Sequence, residues 1–259
     1  MIRLIATDLD GTLLHPDGKM PGDMFDRIRA LARRGVRFAA ASGRPFSNVR
    51  ELFAPVETEM DFICENGALV MAQGKRHATF FPRSMAEEII DDIRKAGLEL
   101  YLSTPEQCYG VTGASQAFQK ETAGRGFHMA YIDDPLALAD GYIKITGYHP
   151  VDVSPLSPPL QEKWGGRVRC DIAGWNWLDF TLASKGTGIQ TLAEILGVPL
   201  ADTAAFGDQF NDESMLQVVG RPFIMAHAPA PLLQKGFRTC ESVLQAIDEL
   251  LAEESISMN

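Results

Sequence analysis

The sequence predicts an α/β protein: a doubly wound, mostly parallel sheet with an α+β domain inserted into it. Three observations carry that expectation. Over residues 1–82, short apolar runs alternate with amphipathic helical patterns, the texture of successive βαβ units. The same texture returns over 183–259. Between them, over 83–182, strand-like runs follow one another and several alternate apolar with polar residues, as a sheet with one open face requires.

The opening run "MIRLIAT" is short and apolar, suited to an interior parallel strand. Met24, Phe25, Ile28, Leu31 and Ala32 recur at helical spacing, and Gly35 closes that helix. "VRFAAASGRP" is a second strand running into Ser42, Gly43 and Arg44, with Pro45 placed to open a helix that buries Phe46, Val49, Leu52 and Phe53. "DFICENGALV" supplies a third strand turning at Asn66-Gly67, and two short β runs flank Gln73-Gly74-Lys75. Near residue 83 the pattern changes. Ser84 and Glu87 form a capping-box pattern for a helix through about Lys95. "LELYLS", "CYGVTG", "HMAYID", "YIKITGYH", "VRCDIAG" and "NWLDFTL" then read as strands, with helices near 114–123 and 155–163. After Ser184 a helix carries Ile189, Leu192, Ala193 and Leu196. "DTAAFGD" is a strand ending in Asp208, "NDESMLQVV" opens a helix, and "RPFIMA" is a further strand. Val243, Leu244, Ile247, Leu250 and Leu251 line a terminal helix.

The 259 residues are 46% hydrophobic and 22% charged, enough for an ample core. A formal net charge of −10 argues against a nucleic-acid partner, which needs a basic face. It leaves room for an anionic substrate, because a bound cation reverses the local field. Cys64, Cys108, Cys170 and Cys240 are scattered, which favours reduced thiols over disulfides or a zinc knuckle. An acid at residue 8 comes too early for a signal peptide, and no apolar run approaches a membrane span. The expectation is a cytoplasmic protein with no membrane partner. Nothing in the sequence sets the oligomeric state.

"ATDLDGTLL" puts Asp8 and Asp10 at the end of the first strand, where open α/β sheets bind ligands. Alone, an acid-x-acid turn is a solvated loop or a helix cap. Ser42 alone is a cap, Lys185 alone a solvated lysine, and Asp208 with Asp212 complements a helix dipole. All four clusters nevertheless fall at strand ends of one sheet, with Gly43, Arg44 and Asn211 beside them. Unrelated turns seldom converge in that way.

"DLDGTLL", "ASGRP", "SKGTGI" and "GDQFNDESML" occur in the order that resembles the haloacid dehalogenase-like superfamily of phosphohydrolases, in its Cof-type branch. The resemblance spans the whole chain. It implies a Rossmann-like core over 1–82 and 183–259, and a large α/β cap over 83–182 inserted after the third core strand. D-x-D-G-T together with G-D-x-x-N-D is a specific pair, while the cap offers no matching motif.

The resemblance implies that Asp8 attacks phosphorus and becomes an aspartyl phosphate, while Asp10 protonates the leaving oxygen and later takes a proton from water. It implies magnesium on the Asp8 and Asp208 carboxylates and the Asp10 carbonyl, consistent with the oxygen ligands that ion prefers. Lys185, Ser42, the N–H groups of Leu9 and Gly43, and the Asn211 amide would contact the phosphoryl group. Asp212 would orient waters or Lys185. Thr12 either fixes the turn or acts directly, and Arg44 either touches substrate or forms a structural ion pair. Asn66, in Glu65-Asn66-Gly67, is a plain turn or a pocket border.

The implied activity is magnesium-dependent hydrolysis of small phosphorylated metabolites, sugar phosphates or phosphorylated cofactors. A phosphomutase shares the aspartyl phosphate, and a ligand-binding regulator would keep the fold without turnover. "GTGIQT" lacks the third glycine of a dinucleotide fingerprint, and no P-loop pattern occurs. The histidines at 15, 77, 128, 149 and 227 lack metal spacing. Trp175 and Trp177 share a face of a cap strand, where packing is the simpler role. Lys144, Arg167 and Arg169 read as residues of solvated strand faces.

Overall fold

A computed structural model describes residues 1–257, with side chains through residue 252. In chain order the first elements are β1 (Leu4–Thr7), α1 (Met24–Arg33), β2 (Arg37–Ala41), α2 (Phe46–Leu52), β3 (Asp61–Cys64), β4 (Leu69–Ala72) and β5 (Lys75–Ala78). Then come α3 (Arg83–Lys95), β6 (Glu99–Ser103), β7 (Cys108–Val111), α4 (Gln116–Gly124), β8 (Met129–Ile132), β9 (Lys144–Tyr148), α5 (Ser157–Trp164), β10 (Arg169–Ala173) and β11 (Trp177–Thr181). The last are α6 (Lys185–Leu196), β12 (Thr203–Gly207), α7 (Glu213–Leu216), β13 (Arg221–Met225), α8 (Ala230–Leu233), β14 (Arg238–Cys240) and α9 (Val243–Ser257).

The chain forms two compact units. One holds Met1–Arg44, Val49–His77 and the chain from Ser184 onward; the other holds Pro45–Asn48 and Ala78–Ala183. The first unit is built on an eight-stranded sheet in the order β14-β13-β12-β1-β2-β3-β4-β5. β1 lies parallel between β12 and β2, with Thr7 opposite Phe206 and Ala40. β1 and β12 are buried at every position, so their apolar runs are what a strand covered on both faces demands. Leu4, Ala6, Ala39, Ala41 and Ile63 of the sheet pack with Ile189, Leu192 and Ala193 of α6 and Met215 and Leu216 of α7. Each fully buried large side chain there contributes about 1.5–3 kcal/mol of transfer free energy.

The second unit has a six-stranded sheet in the order β10-β11-β9-β6-β7-β8. Leu100, Leu102, Ile145, Leu178 and Phe180 pack with Ile89, Ile90 and Ile93 of α3 and Leu160 and Trp164 of α5. Tyr101, Phe118, Tyr148 and Trp177 form a separate aromatic cluster. β9 and β11 are buried at every position. The open sheet face expected from their alternating pattern is therefore closed over these two strands, and Lys144 is buried, not solvated. Its ammonium lies 3.9 Å from the Asp179 carboxylate, which accepts from Thr146 Oγ1 at 2.7 Å. Arg167 stacks on Trp164 at 4.4 Å, and Arg169 pairs with Asp171 at 2.7 Å.

Two local expectations need correction. α3 starts at Arg83, so Ser84 lies inside the helix and caps nothing, while Glu87 pairs with Arg83 one turn earlier at 2.8 Å. Trp177 is buried in β11, but Trp175 is exposed beyond the end of β10, so the two do not share a strand face. None of the four cysteines is in a disulfide. Among the described residues no helix is long and apolar enough to cross a membrane.

Candidate active site

Parallel pairing of β1 with β12 brings the first and last acidic motifs together. Asp8 follows β1 directly, and its N–H donates to the Phe206 carbonyl at 2.9 Å. Asp208 follows the neighbouring β12. The chain turns sharply after Asp8, with Gly11 at φ 84°. That residue must be glycine for two reasons. Its φ lies in the left-handed region, and a Cβ would stand 2.5 Å from Asp208 Oδ2. Thr12 Oγ1 donates to Asp208 Oδ1 at 2.9 Å, so Thr12 holds the acid as well as the turn.

Lys185 reaches the same point from α6. Ser184 caps this helix, accepting from Thr187 N at 3.1 Å while Thr187 Oγ1 accepts from Ser184 N at 2.9 Å. The glycines after Lys185 serve packing. A Cβ on Gly186 would lie 2.4 Å from the Ser214 carbonyl, and one on Gly188 would lie 2.5 Å from Ile63. Close helix approach, not dinucleotide binding, explains "KGTG".

The Lys185 ammonium is fully buried and donates to Asp8 Oδ1 at 2.5 Å and Asp212 Oδ1 at 2.6 Å. The other Asp212 oxygen accepts from the N–H groups of Asp208 and Gln209, both at 2.9 Å. Asp212 thus ties the loop after β12 to Lys185. Asp8, Asp208 and Asp212 each offer a carboxylate oxygen, all within 4.8 Å of one another and all buried. One lysine cannot neutralise three carboxylates. Burial pushes the Asp8 carboxyl up, to about 8, against the opposing pull of Lys185. For Lys185, burial alone would depress the ammonium, but Asp212 and Asp8 outweigh it and the net shift is upward. The three acids form a hard-oxygen donor set with surplus negative charge, which fits a divalent cation of the magnesium type.

A second group surrounds β2 and β3. Ser42 Oγ accepts from Arg44 N at 3.2 Å, and its carbonyl accepts from Asn66 N at 3.1 Å. Asn66 Oδ1 accepts from Asn211 Nδ2 at 3.2 Å and lies 3.0 Å from where a Gly43 Cβ would stand. Asn66 therefore borders Ser42, Gly43 and Asn211. Gly67, at φ 98°, lets the turn pass against the start of α6, where a Cβ would stand 2.0 Å from the Ser184 carbonyl oxygen. Leu9 is buried, and its carbonyl accepts from Leu14 N at 2.9 Å. The Asp10 side chain turns away from the carboxylate cluster to Arg44, which pairs with both of its oxygens at 2.8 and 2.5 Å.

Two neighbours were not read from the sequence. Gln209 Nε2 donates to Asp208 Oδ2 at 3.0 Å, and the exposed His227 stands 3.9 Å from the same oxygen. Gln209 could have been suspected from its place inside the motif. His227 is brought in by the loop after β13, which carries no local signal.

This constellation, on this sheet, defines a class. The chain belongs to the haloacid dehalogenase-like hydrolases: that family's model matches residues 5–243. It is 26% identical over 273 residues to the 5-amino-6-(5-phospho-D-ribitylamino)uracil phosphatase YbjI of Escherichia coli K12, covering 98% of each chain. It is 28% identical to the HMP-PP phosphatase of Cronobacter sakazakii, over 90% of this chain and 87% of that one. Among solved structures, one from Eubacterium rectale superimposes with a TM-score of 0.86 at 27% identity, covering 96% of this chain and 99% of the other.

Proposed function

We propose that the protein is a magnesium-dependent phosphatase of small phosphorylated metabolites, sugar phosphates or phosphorylated cofactors, working through an aspartyl phosphate on Asp8. The observation that carries this reading is the buried Lys185 ammonium held between Asp8 and Asp212, with Asp208 completing a cluster of three acids. The names of the relatives, both phosphatases of small phosphorylated compounds, support it.

A carboxylate approaching a phosphate dianion is repelled, by about 4 kcal/mol per unit-charge pair near 4 Å at an effective dielectric of 20. Lys185 offsets part of that with a fixed positive charge. Magnesium would be held by the Asp8 and Asp208 carboxylates and the Asp10 carbonyl, and when bound would supply the remaining positive charge. Ser42, the N–H groups of Leu9 and Gly43, and Asn211 would donate to the phosphoryl oxygens, with Asn66 orienting Asn211. Thr12 and Asp212 position Asp208 and Lys185.

In the first half of the reaction an Asp8 oxygen bonds to phosphorus as the ester P–O bond breaks. The electron pair leaves on the alcohol oxygen, which takes a proton from Asp10. In the second half water attacks phosphorus, gives a proton to Asp10 and releases phosphate from Asp8. The second unit acts in this reading as a cap that selects the leaving group. A panel of phosphometabolites and 4-nitrophenyl phosphate, run with and without magnesium beside Asp8→Asn, tests the proposal. Turnover that needs both the metal and Asp8 supports it; turnover surviving in Asp8→Asn refutes it.

A further inference from the structure

The second unit buries a cation and an anion side by side on one face of its sheet. Leu100, Leu102, Ile145, Leu178 and Phe180 pack with α3 and α5, and the residues between them stand on the opposite face. There Tyr101 lies opposite Thr146, Thr146 opposite Asp179, and Ser103 opposite Lys144. Lys144 and Asp179 are about as buried as Asp8. The ammonium lies 3.9 Å from one Asp179 oxygen and 5.4 Å from the centre of the Tyr101 ring, while Thr146 Oγ1 donates to the other Asp179 oxygen at 2.7 Å. Taking two charges out of water cancels most of their attraction, and apolar residues of similar size serve a core as well or better. Stability therefore does not account for the pair. Two positions from Asp179 along β11, the Trp177 indole meets the Tyr101 ring at 5.7 Å. Its Nε1 is buried with no hydrogen-bond partner among the described residues, a donor in want of an acceptor.

The spacing of the pair suits a hydroxyl. One placed about 2.8 Å from each charge spans the 3.9 Å between them, accepting from the ammonium and donating to the carboxylate. The Trp177 N–H adds a donor for a second oxygen. Because the two charges cancel, the cluster suits an uncharged polar group. A carboxylate brought to the same place is repelled by Asp179, and an ammonium by Lys144. Leu182, Ala183 and Ser184 alone separate the end of β11, the strand of Asp179, from Lys185. We infer that Lys144 and Asp179 are specificity-determining residues, which receive hydroxyls of an uncharged, polyhydroxylated leaving group and reject a leaving group with a charge of its own. The inference rests on the function proposed above and gives the second unit a chemical criterion for its selection.

Three phosphate esters of one chain length test it. Sorbitol 6-phosphate is the uncharged polyol, 6-phosphogluconate ends in a carboxylate, and hexyl phosphate has no hydroxyls. With magnesium, wild-type kcat/KM is expected to be about tenfold or more higher for sorbitol 6-phosphate than for either of the others. The double variant Lys144→Met/Asp179→Leu is expected to melt close to wild type and to bring sorbitol 6-phosphate and hexyl phosphate to a similar kcat/KM. Asp179→Asn keeps an acceptor for Thr146 but leaves the Lys144 charge uncompensated. There 6-phosphogluconate is expected to gain on sorbitol 6-phosphate by about tenfold, mainly through KM. A purely structural ion pair moves stability and leaves these ratios alone. Wild-type ratios retained in the folded double variant overturn the inference, as does a double variant that no longer folds. A wild-type protein that hydrolyses 4-nitrophenyl phosphate but shows no preference for the polyol overturns it too, leaving the proposed function standing. If wild type hydrolyses none of these esters, the proposed function fails first and the inference falls with it.

Discussion

Lys185→Met removes the ammonium buried between Asp8 and Asp212 while preserving much of the side chain's bulk. In the folded protein that ammonium meets carboxylate oxygens at 2.5 and 2.6 Å. At an effective dielectric of 20 each contact carries about 6 kcal/mol of gross attraction. Most of this is offset by desolvation, and truncating one partner of a buried pair costs about 3–5 kcal/mol net. For domains of this size that lowers the melting temperature by about 6–20 °C. The pH dependence follows from Asp8. Burial already pushes its carboxyl up, and in the variant nothing opposes that push. A carboxyl that binds its proton more tightly folded than unfolded adds stability at low pH and loses it as pH rises. Wild-type Asp8, at about 8, keeps its proton over most of the range from pH 5 to 8. The deficit relative to wild type is therefore expected to be smaller at pH 5 than at pH 10, where the wild-type carboxyl has ionised. Calorimetric melts of both proteins in chelator at the two pH values measure it, and turnover is expected to fall by about 10²–10³. A variant that melts with wild type at pH 10, or whose deficit is the same at both pH values, refutes the electrostatic account of the cluster.

Gly67→Ala forces a Cβ to within 2.0 Å of the Ser184 carbonyl at a φ of 98°. Neither backbone can swing away, so a loss of about 2–5 kcal/mol is expected in denaturant melts. Thr12→Val deletes the hydrogen bond to Asp208. Magnesium titrations are expected to show an apparent affinity about tenfold weaker, with turnover at saturating metal close to wild type. Burial pushes the Cys170 thiol up from near 9 to about 12, so it stays protonated when folded and ionises first when unfolded. Wild-type stability should then fall between pH 9 and 11 more steeply than that of Cys170→Ala, by up to about 1.4 kcal/mol per pH unit.

The core and its motifs were legible because they are local. Asp8, Ser42, Lys185 and Asp208 each sit at a strand or helix end that periodicity alone marks, and parallel pairing does the rest. What escaped depends on partners distant in sequence. Lys144 looks like a residue of a solvated strand face, because alternation reveals two faces but not which of them becomes covered. The capping box predicted at Ser84 is absent, while a real one stands at Ser184 with threonine in place of glutamate. The Arg44–Asp10 pair joins two loops on adjacent strands, and either residue read alone fits several roles.

The most direct measurement is an acid quench during steady turnover with magnesium, followed by mass-spectrometric mapping of any phosphorylated peptide. A single phosphoryl group on Asp8, lost in Asp8→Asn, is the predicted result. Phosphate release with no protein-bound phosphoryl group, or with one on any other side chain, contradicts the account.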